Sequence, residues 1–139
     1  MNKKIIIILL IFAIVVGIGF LINYMFTPIT PRLTVRCNDE NIDSGFLFNR
    51  GIICFDGIDP TICTLKVGSI LTFEFSIKPS SIYASNELAK LNKIDKEDFT
   101  AKKFDIKLPS EPGIYDILLD AYWGWQGNGI CYMRITVVE

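Results

Sequence analysis

The chain has 139 residues, half of them hydrophobic, with a formal net charge of −1 and no histidine. The missing histidine removes the commonest general base and metal ligand. Residues 27–139 carry 12 basic and 15 acidic side chains, because two of the 14 basic residues, Lys3 and Lys4, precede them. This mild negative charge argues against nucleic acid as a partner.

An uncharged apolar run covers residues 5–26. As a helix it would be about 33 Å long, enough to cross a bilayer. The run is longer than the apolar region of a signal peptide and no Ala-x-Ala motif follows it, so an uncleaved anchor is favoured over a cleaved signal peptide. Lys3 and Lys4 lie in a short segment, residues 1–4, predicted to be cytoplasmic. Tyr24 and Phe26 would then be aromatic anchors at the outer interface.

The sequence therefore predicts a single-pass protein of the cell membrane, with the lipid bilayer as partner of residues 5–26 and the C-terminal domain outside the cytoplasm. Ala13 and Gly17 form one small-xxx-small pair, which is typical of helix–helix contacts but also common in membrane spans generally. A stem at residues 27–32 follows, kept extended by Pro28 and Pro31.

Period-2 hydrophobic patterns dominate residues 33–139 and predict one all-β domain. The predicted strands are residues 33–37, 46–48, 52–55, 64–67, 70–77, 104–108, 115–123 and 130–138, with 46–48 and 52–55 as a hairpin. Residues 38–44 are predicted to be a loop, and Asn128-Gly129 is a hairpin-turn signal. Residues 80–100 fit either a short helix after Ser85 or an edge strand and a loop.

Four cysteines, Cys37, Cys54, Cys63 and Cys131, all follow the apolar run. An even number in an exported domain favours disulfides over free thiols, and their spacing matches no zinc module. The preferred pairing is Cys54–Cys63 with Cys37–Cys131. Cys37–Cys54 with Cys63–Cys131 remains open, because spacing alone does not decide connectivity.

Three stretches carry a resemblance to a known fold. Glu111-Pro112-Gly113-Ile114-Tyr115 resembles the entry to the penultimate strand of immunoglobulin-like domains, and residues 67–73 resemble the entry to their second strand. The final hairpin, from Ala121-Tyr122-Trp123 to Arg134-Ile135-Thr136-Val137, resembles the closing pair of strands of bacterial immunoglobulin-like modules. The resemblance covers residues 64–139 and implies an immunoglobulin-like antiparallel β-sandwich, with Tyr115 as its tyrosine corner. Ile117 and either Phe73 or Phe75 stand where antibody domains have their inter-sheet cysteines, so apolar packing would replace that bond.

No catalytic motif or calcium loop is present, and neither an enzyme activity nor a cofactor or metal is expected. A candidate binding loop at the end of the sandwich contains Tyr122, Trp123, Trp125 and Asn128. The inward register of Trp123 favours a core role, whereas Trp125 would cap the sandwich or contact a partner or the bilayer.

The expected function is a membrane-anchored extracytoplasmic module, either binding a protein or a glycan or serving a structural role. The alternative is a subunit of a membrane or envelope complex assembled through the helix. An inhibitor or an enzyme of unknown type ranks below both.

Overall fold

The computed structural model describes residues 3–51, 53, 56–84, 88 and 101–139. Helix α1 extends over Lys3–Phe26, and none of its residues is buried against the rest of the chain. Its length and apolar composition suffice to cross a membrane, a property that signal sequences near an N-terminus share. Thr27 ends the helix by donating both its amide and its hydroxyl to the Asn23 carbonyl, at 2.9 and 2.6 Å.

Within the described residues, nine strands form two sheets. The strands are β1 (Leu33–Cys37), β2 (Glu40–Ile42), β3 (Leu47–Asn49), β4 (Thr61–Lys66), β5 (Ile70–Phe75), β6 (Ser81–Ala84), β7 (Lys103–Lys107), β8 (Gly113–Tyr122) and β9 (Asn128–Val138). The first sheet has the antiparallel order β2-β1-β5-β7. The second sheet has the order β3-β9-β8-β6, and β4 adds to β9 as a parallel strand.

The two sheets share one hydrophobic core, because alternate residues of each strand point to the same side. In the first sheet Leu71, Phe73 and Phe75 of β5 are fully buried, as the sequence predicts. The second sheet contributes every inward residue of β9 that the alternation predicts, namely Cys131, Met133, Ile135 and Val137. A two-sheet, mainly antiparallel β architecture behind an apolar helix is therefore what the chain forms.

Residues 38–44, predicted to be a loop, instead make a hairpin in which β2 pairs with β1. Its two turn residues, Asn38 and Asp39, have φ angles of +49° and +66°. Type I′ hairpin turns require positive φ at both central positions, and Asn and Asp tolerate that conformation. The loop prediction was based on the polarity of these residues and did not take the turn preference of Asn38-Asp39 into account.

Two further expectations differ from the structure. The strand predicted over residues 70–77 ends at Phe75, so Ile77 lies outside β5. Asn128 and Gly129 do not form a turn but begin β9. β3 pairs with β9, and the second strand of the hairpin predicted from residues 46–48 and 52–55 lies outside the described residues except for Ile53.

Within residues 80–100, β6 pairs with β8 at the edge of the second sheet. The helix considered for residues 85–91 lies outside the described residues except for Leu88, which is helical and buried in the core.

The strand directions give the domain two distinct ends. Residues 27–32, Arg50 and the turn Trp123–Gly127 lie together at what we call the anchor end, where α1 joins. β9 begins at this end, and its 11 residues extend about 35 Å toward the far end at about 3.3 Å per residue. The far end contains the turns at residues 38–39, 67–69 and 109–112.

Candidate functional site

The candidate binding loop forms the turn between β8 and β9 at the anchor end. A short 3₁₀ helix, η1 (Gly124–Gln126), makes up its middle. The Trp123 amide donates to the Gly127 carbonyl at 3.0 Å, and the Gln126 amide donates to the Trp123 carbonyl at 3.2 Å. These bonds close the loop into a compact turn that points Trp123 and Trp125 in different directions.

Trp123 belongs to the core, as its register predicts. Only 6% of its surface is exposed, and its indole Nε1 donates to the Ile77 carbonyl at 3.1 Å. The rings of Phe48 and Phe75 each meet it edge-on with centroids 5.6 Å away. Because its apolar surface is covered and its N–H is used, Trp123 does not offer a contact surface to a partner.

Asn128 is a buried clamp. Its amide oxygen accepts the Ile53 amide at 3.0 Å, and its Nδ2 donates to the Ile53 carbonyl at 3.3 Å and to Asp120 Oδ1 at 2.9 Å. Tyr122 donates its hydroxyl to the other Asp120 oxygen at 2.6 Å and packs edge-on against Tyr83. Asn128 and Tyr122 therefore stabilise the second sheet and its connecting segments.

Trp125 is the exposed member of the loop, with 60% of its surface accessible. Its ring lies edge-on to Phe26, the last residue of α1, with centroids 5.9 Å apart and planes at 61°. The two rings border a surface cavity of about 110 Å³ lined by Phe26, Thr27, Pro28, Ile29, Arg50, Trp125 and Gln126. The structure thus joins Phe26, predicted as a membrane anchor, to Trp125, predicted as a binding residue.

Arg50 is the residue of this surface that the sequence did not single out. Gly127, at φ +128°, lets the chain at Asn49 and Arg50 pass against the turn, because a Cβ there would lie 2.8 Å from the Arg50 Cα. Arg50 and Trp125 also border a second cavity of about 200 Å³, with Gly51, Tyr122, Gly124, Gly127 and Asn128. Arg50 and Gly127 are 77 residues apart, and no local pattern encodes their contact.

The stem fixes the position of the domain relative to the helix. The Arg32 amide donates to the Ser76 hydroxyl, and the Ser76 amide donates to the Arg32 carbonyl, both at 2.9 Å. Ile29 packs against the edge of the core. The other predicted anchor residues, Lys3, Lys4 and Tyr24, lie exposed on α1.

The predicted disulfides are not formed. Cys37, Cys63 and Cys131 are free thiols, which excludes Cys37–Cys131, Cys63–Cys131 and, through the free thiols of Cys37 and Cys63, both proposed bonds to Cys54. Cys54 itself lies outside the described residues. Cys131 directs its thiol to the backbone instead, since its Sγ donates to the Ser44 carbonyl at 3.4 Å.

Two of the thiols, those of Cys131 and Cys63, have raised pKa values. Burial, helped by the negative charge of Asp43, raises the pKa of Cys131 to about 12. Burial also raises the pKa of Cys63, and the neighbouring Cys37 adds to that shift. A raised pKa is the opposite of what a nucleophilic or redox-active cysteine needs.

Asp116, Arg134 and Tyr115 make hydrogen bonds within the domain. Arg134 donates to both Asp116 oxygens, at 2.8 and 3.0 Å, on the outer face of the second sheet. This pairing lowers the pKa of Asp116. The Tyr115 hydroxyl donates to the Glu111 carbonyl at 3.1 Å. Among the described residues, no group of three or more His, Cys, Asp or Glu side chains is placed to hold a metal ion.

Comparison with known proteins gives no relative. No protein-family model matches the chain, and neither a curated protein nor a solved structure is significantly similar to it.

Proposed function

We propose that the chain is a single-pass membrane protein that carries an immunoglobulin-like β-sandwich outside the cytoplasm as a binding or structural module. The observation that carries the proposal is the junction between helix and domain. Phe26 ends the helix against Trp125, and the stem is hydrogen-bonded to Ser76. The domain is therefore seated directly on the end of the apolar helix.

The orientation follows from the charges beside the helix. Lys3 and Lys4 lie at its start, whereas its last turn has no basic residue. Basic residues next to a span favour the cytoplasmic side, and the first basic residue after the helix is Arg32, six residues beyond Phe26. The β domain would then face the outside of the cell membrane.

The immunoglobulin-like assignment is supported by strand order. Immunoglobulin domains place strands A, B and E in one sheet and strands G, F and C in the other. The neighbours β1-β5-β7 and β9-β8-β6 have the same arrangement. The bond from Tyr115 to the Glu111 carbonyl has the form of a tyrosine corner at the start of strand F. Phe73 and Ile117 are both buried where inter-sheet cysteines would otherwise lie.

With this geometry, the expected binding site for a partner moves from the aromatic turn to the far end of the domain. The aromatic turn faces the membrane, so a protein or glycan from outside would first meet the far end of the domain. The turns at residues 38–39, 67–69 and 109–112 are displayed there. A cavity of about 320 Å³ at that end is lined by Glu40, Asn41 and Lys66 together with other polar residues and the apolar Ile42 and Leu65. The polar groups among them suit hydrogen bonding to a polar ligand.

Protease protection tests the proposed topology. The full chain, tagged at its C-terminus, is expressed in bacterial membranes and treated with protease in right-side-out and inverted vesicles. We expect the C-terminal tag to be lost only in right-side-out vesicles. Loss of the tag only in inverted vesicles would contradict the external location of the domain.

A second candidate is a subunit of a membrane complex assembled through α1. It is favoured by the bare surface of the helix, on which Gly17 has no described neighbour within 4 Å to meet an added Cβ. Cross-linking in membranes would compare the double variant Ala13→Leu/Gly17→Leu with Val15→Leu on another face of the helix. Loss of cross-linked products only in the double variant supports assembly through this face, and equal products in both reject it.

A further inference from the structure

We propose that Trp125 and Arg50 form a docking site for the phospholipid headgroup layer, so that the turn between β8 and β9 rests in the membrane interface. The inference rests on the proposed function, because it requires α1 to span the bilayer. The site adds a second lipid contact, which the β domain itself makes. Its residues, Arg50 and Trp125, lie about 25 and 100 positions after the end of the helix.

The depth of the site follows from the length of the helix. The 24 residues of α1 extend about 36 Å at 1.5 Å per residue. The hydrocarbon layer is about 30 Å thick, and the headgroup regions bring the bilayer to about 40–45 Å. Phe26 therefore lies among the headgroups. The ring centroid of Trp125 is 5.9 Å from that of Phe26, so Trp125 lies within that distance of the depth of Phe26.

The side chains suit that environment. Tryptophan is enriched at the membrane interface because its ring is apolar while its N–H can bond to water or headgroups. Trp125 is 60% exposed, whereas Trp123 in the same turn is only 6% exposed because it packs into the core. Exposure at this position costs nothing if lipid covers the ring.

Charge points to phosphate as the second contact. Arg50 is exposed, and its guanidinium has no hydrogen bond or ion pair with any part of the chain that the structure describes. Among the described residues that line the two cavities beside Trp125, it is the only one with a charged side chain. The nearby carboxylate of Asp120 accepts from Tyr122 and Asn128 and lines neither cavity. A guanidinium without a carboxylate partner matches the geometry of a lipid phosphate.

This surface adjoins the end of α1, and that position favours lipid as its occupant. The first cavity is bordered on one side by Phe26 and Thr27 and on the other by Trp125 and Gln126. Lipids that surround the end of a spanning helix necessarily reach this opening. A soluble partner would have to displace them, whereas the far end of the domain is unobstructed.

Fluorescence quenching by brominated lipids tests the site. The full chain is reconstituted in phosphatidylglycerol/phosphatidylcholine vesicles that contain lipid brominated at shallow acyl positions. We expect the wild-type emission to be quenched. Trp125→Phe retains only the buried Trp123, so its remaining emission should lose most of this quenching. Arg50→Gln should weaken quenching, and Arg50→Lys should restore part of it.

Two results would overturn the inference. One is quenching that is equal in the wild type and in Trp125→Phe. The other is Trp125 emission that brominated lipid does not quench. This result overturns the inference both when iodide in the water quenches Trp125 and when another protein shields Trp125 from iodide. Either result leaves the proposed function standing if protease protection still places the domain outside. A failed protection experiment removes the proposed function independently of the quenching data.

Discussion

The two tryptophans of the chain have different roles, although only Gly124 stands between them. Trp123 continues the inward register of β8 and finds a backbone acceptor in Ile77. Gly124, at φ +61°, then reverses the chain, and Trp125 leaves the core and meets Phe26. The inward position of Trp123 was predictable from alternation. The contact of Trp125 was not, because it depends on where a helix 99 residues earlier ends.

Thiol reactivity provides a test at the residue scale. With a pKa of about 12, Cys131 is almost entirely protonated at pH 8. Since the thiolate is the reactive form, we expect its alkylation in the folded chain to be about a thousandfold slower than that of an ordinary thiol of pKa about 8.5. Iodoacetamide labelling followed by peptide mass mapping, with and without denaturant, measures this difference.

The outcome also checks the free-thiol assignment. Denaturant without reductant should make Cys37, Cys63 and Cys131 all reactive. If any of them reacts only after reduction, a disulfide exists and the assignment is wrong. Rapid labelling of Cys131 in the folded chain would contradict its burial.

The Asp116–Arg134 pair predicts a pH dependence of stability. Hydrogen bonds from Arg134 hold the pKa of Asp116 below its usual range near 3.9. A carboxylate with a depressed pKa stabilises the folded state above its unfolded pKa, and that contribution is lost as pH falls through the folded pKa. Asp116→Asn should therefore be slightly less stable than the wild type at pH 7 and equally stable at strongly acidic pH.

Urea unfolding of the full chain in detergent, at several pH values from 7 downward, measures this difference. The effect is expected to be small because both side chains are substantially exposed. Asp59→Asn, at an exposed position without a hydrogen bond in the described structure, is the matched control. A difference between Asp116→Asn and the wild type that persists unchanged at low pH would contradict the assigned role.

At the scale of elements, alternation predicted the long strands well and the short ones poorly. β5, β8 and β9 each bury one face against the core, and their inward residues follow directly from period 2. β2 has three residues and none is buried, so it has no hydrophobic pattern to read. The pairing of β3 with β9 and of β4 with β9 joins segments more than 60 residues apart, and local sequence does not encode it.

The turn between β8 and β9 depends on Gly127. Its φ of +128° is accessible to glycine, and an added Cβ would overlap the Asn49 carbonyl. Gly127→Ala should lower the free energy of unfolding by about 1–3 kcal/mol, the usual cost of such backbone strain. It should also displace Arg50 from Trp125.

Gly68→Ala is the control for this substitution. Gly68 also has a positive φ, +68°, but nothing lies within 4 Å of its Cβ position. Gly68→Ala should lower the free energy of unfolding by only about 1–2 kcal/mol, the cost of the left-handed conformation for a residue with a Cβ. It should leave the anchor end intact. Equal effects of the two variants on the quenching of Trp125 by brominated lipid would show that packing at Gly127 does not position the site.

At the scale of the whole molecule, the helix and the β domain divide the chain between two solvents. No residue of α1 is buried by protein, so its apolar surface must be covered by something else. The sequence predicted this division from one uncharged run. It did not predict that the aromatic turn would lie beside the helix, since that follows from the direction of β8 and from the short stem.

The short stem predicts a measurable coupling between anchor and domain. Inserting six Gly/Ser residues after Pro28 adds a flexible segment with an average span of about 13 Å, more than twice the 5.9 Å between the Phe26 and Trp125 rings. The domain should then detach from the helix end. In vesicles, the Trp125 emission should shift to the red and become more accessible to iodide.

The same insertion after Asp39, in the hairpin turn at the far end, lengthens the chain equally without touching the junction. It should leave Trp125 emission unchanged. If the stem insertion also leaves it unchanged, Trp125 holds its environment without help from the anchor, and the domain is tethered but not seated. If only the stem insertion exposes Trp125, the six-residue stem is what keeps the β domain against the membrane.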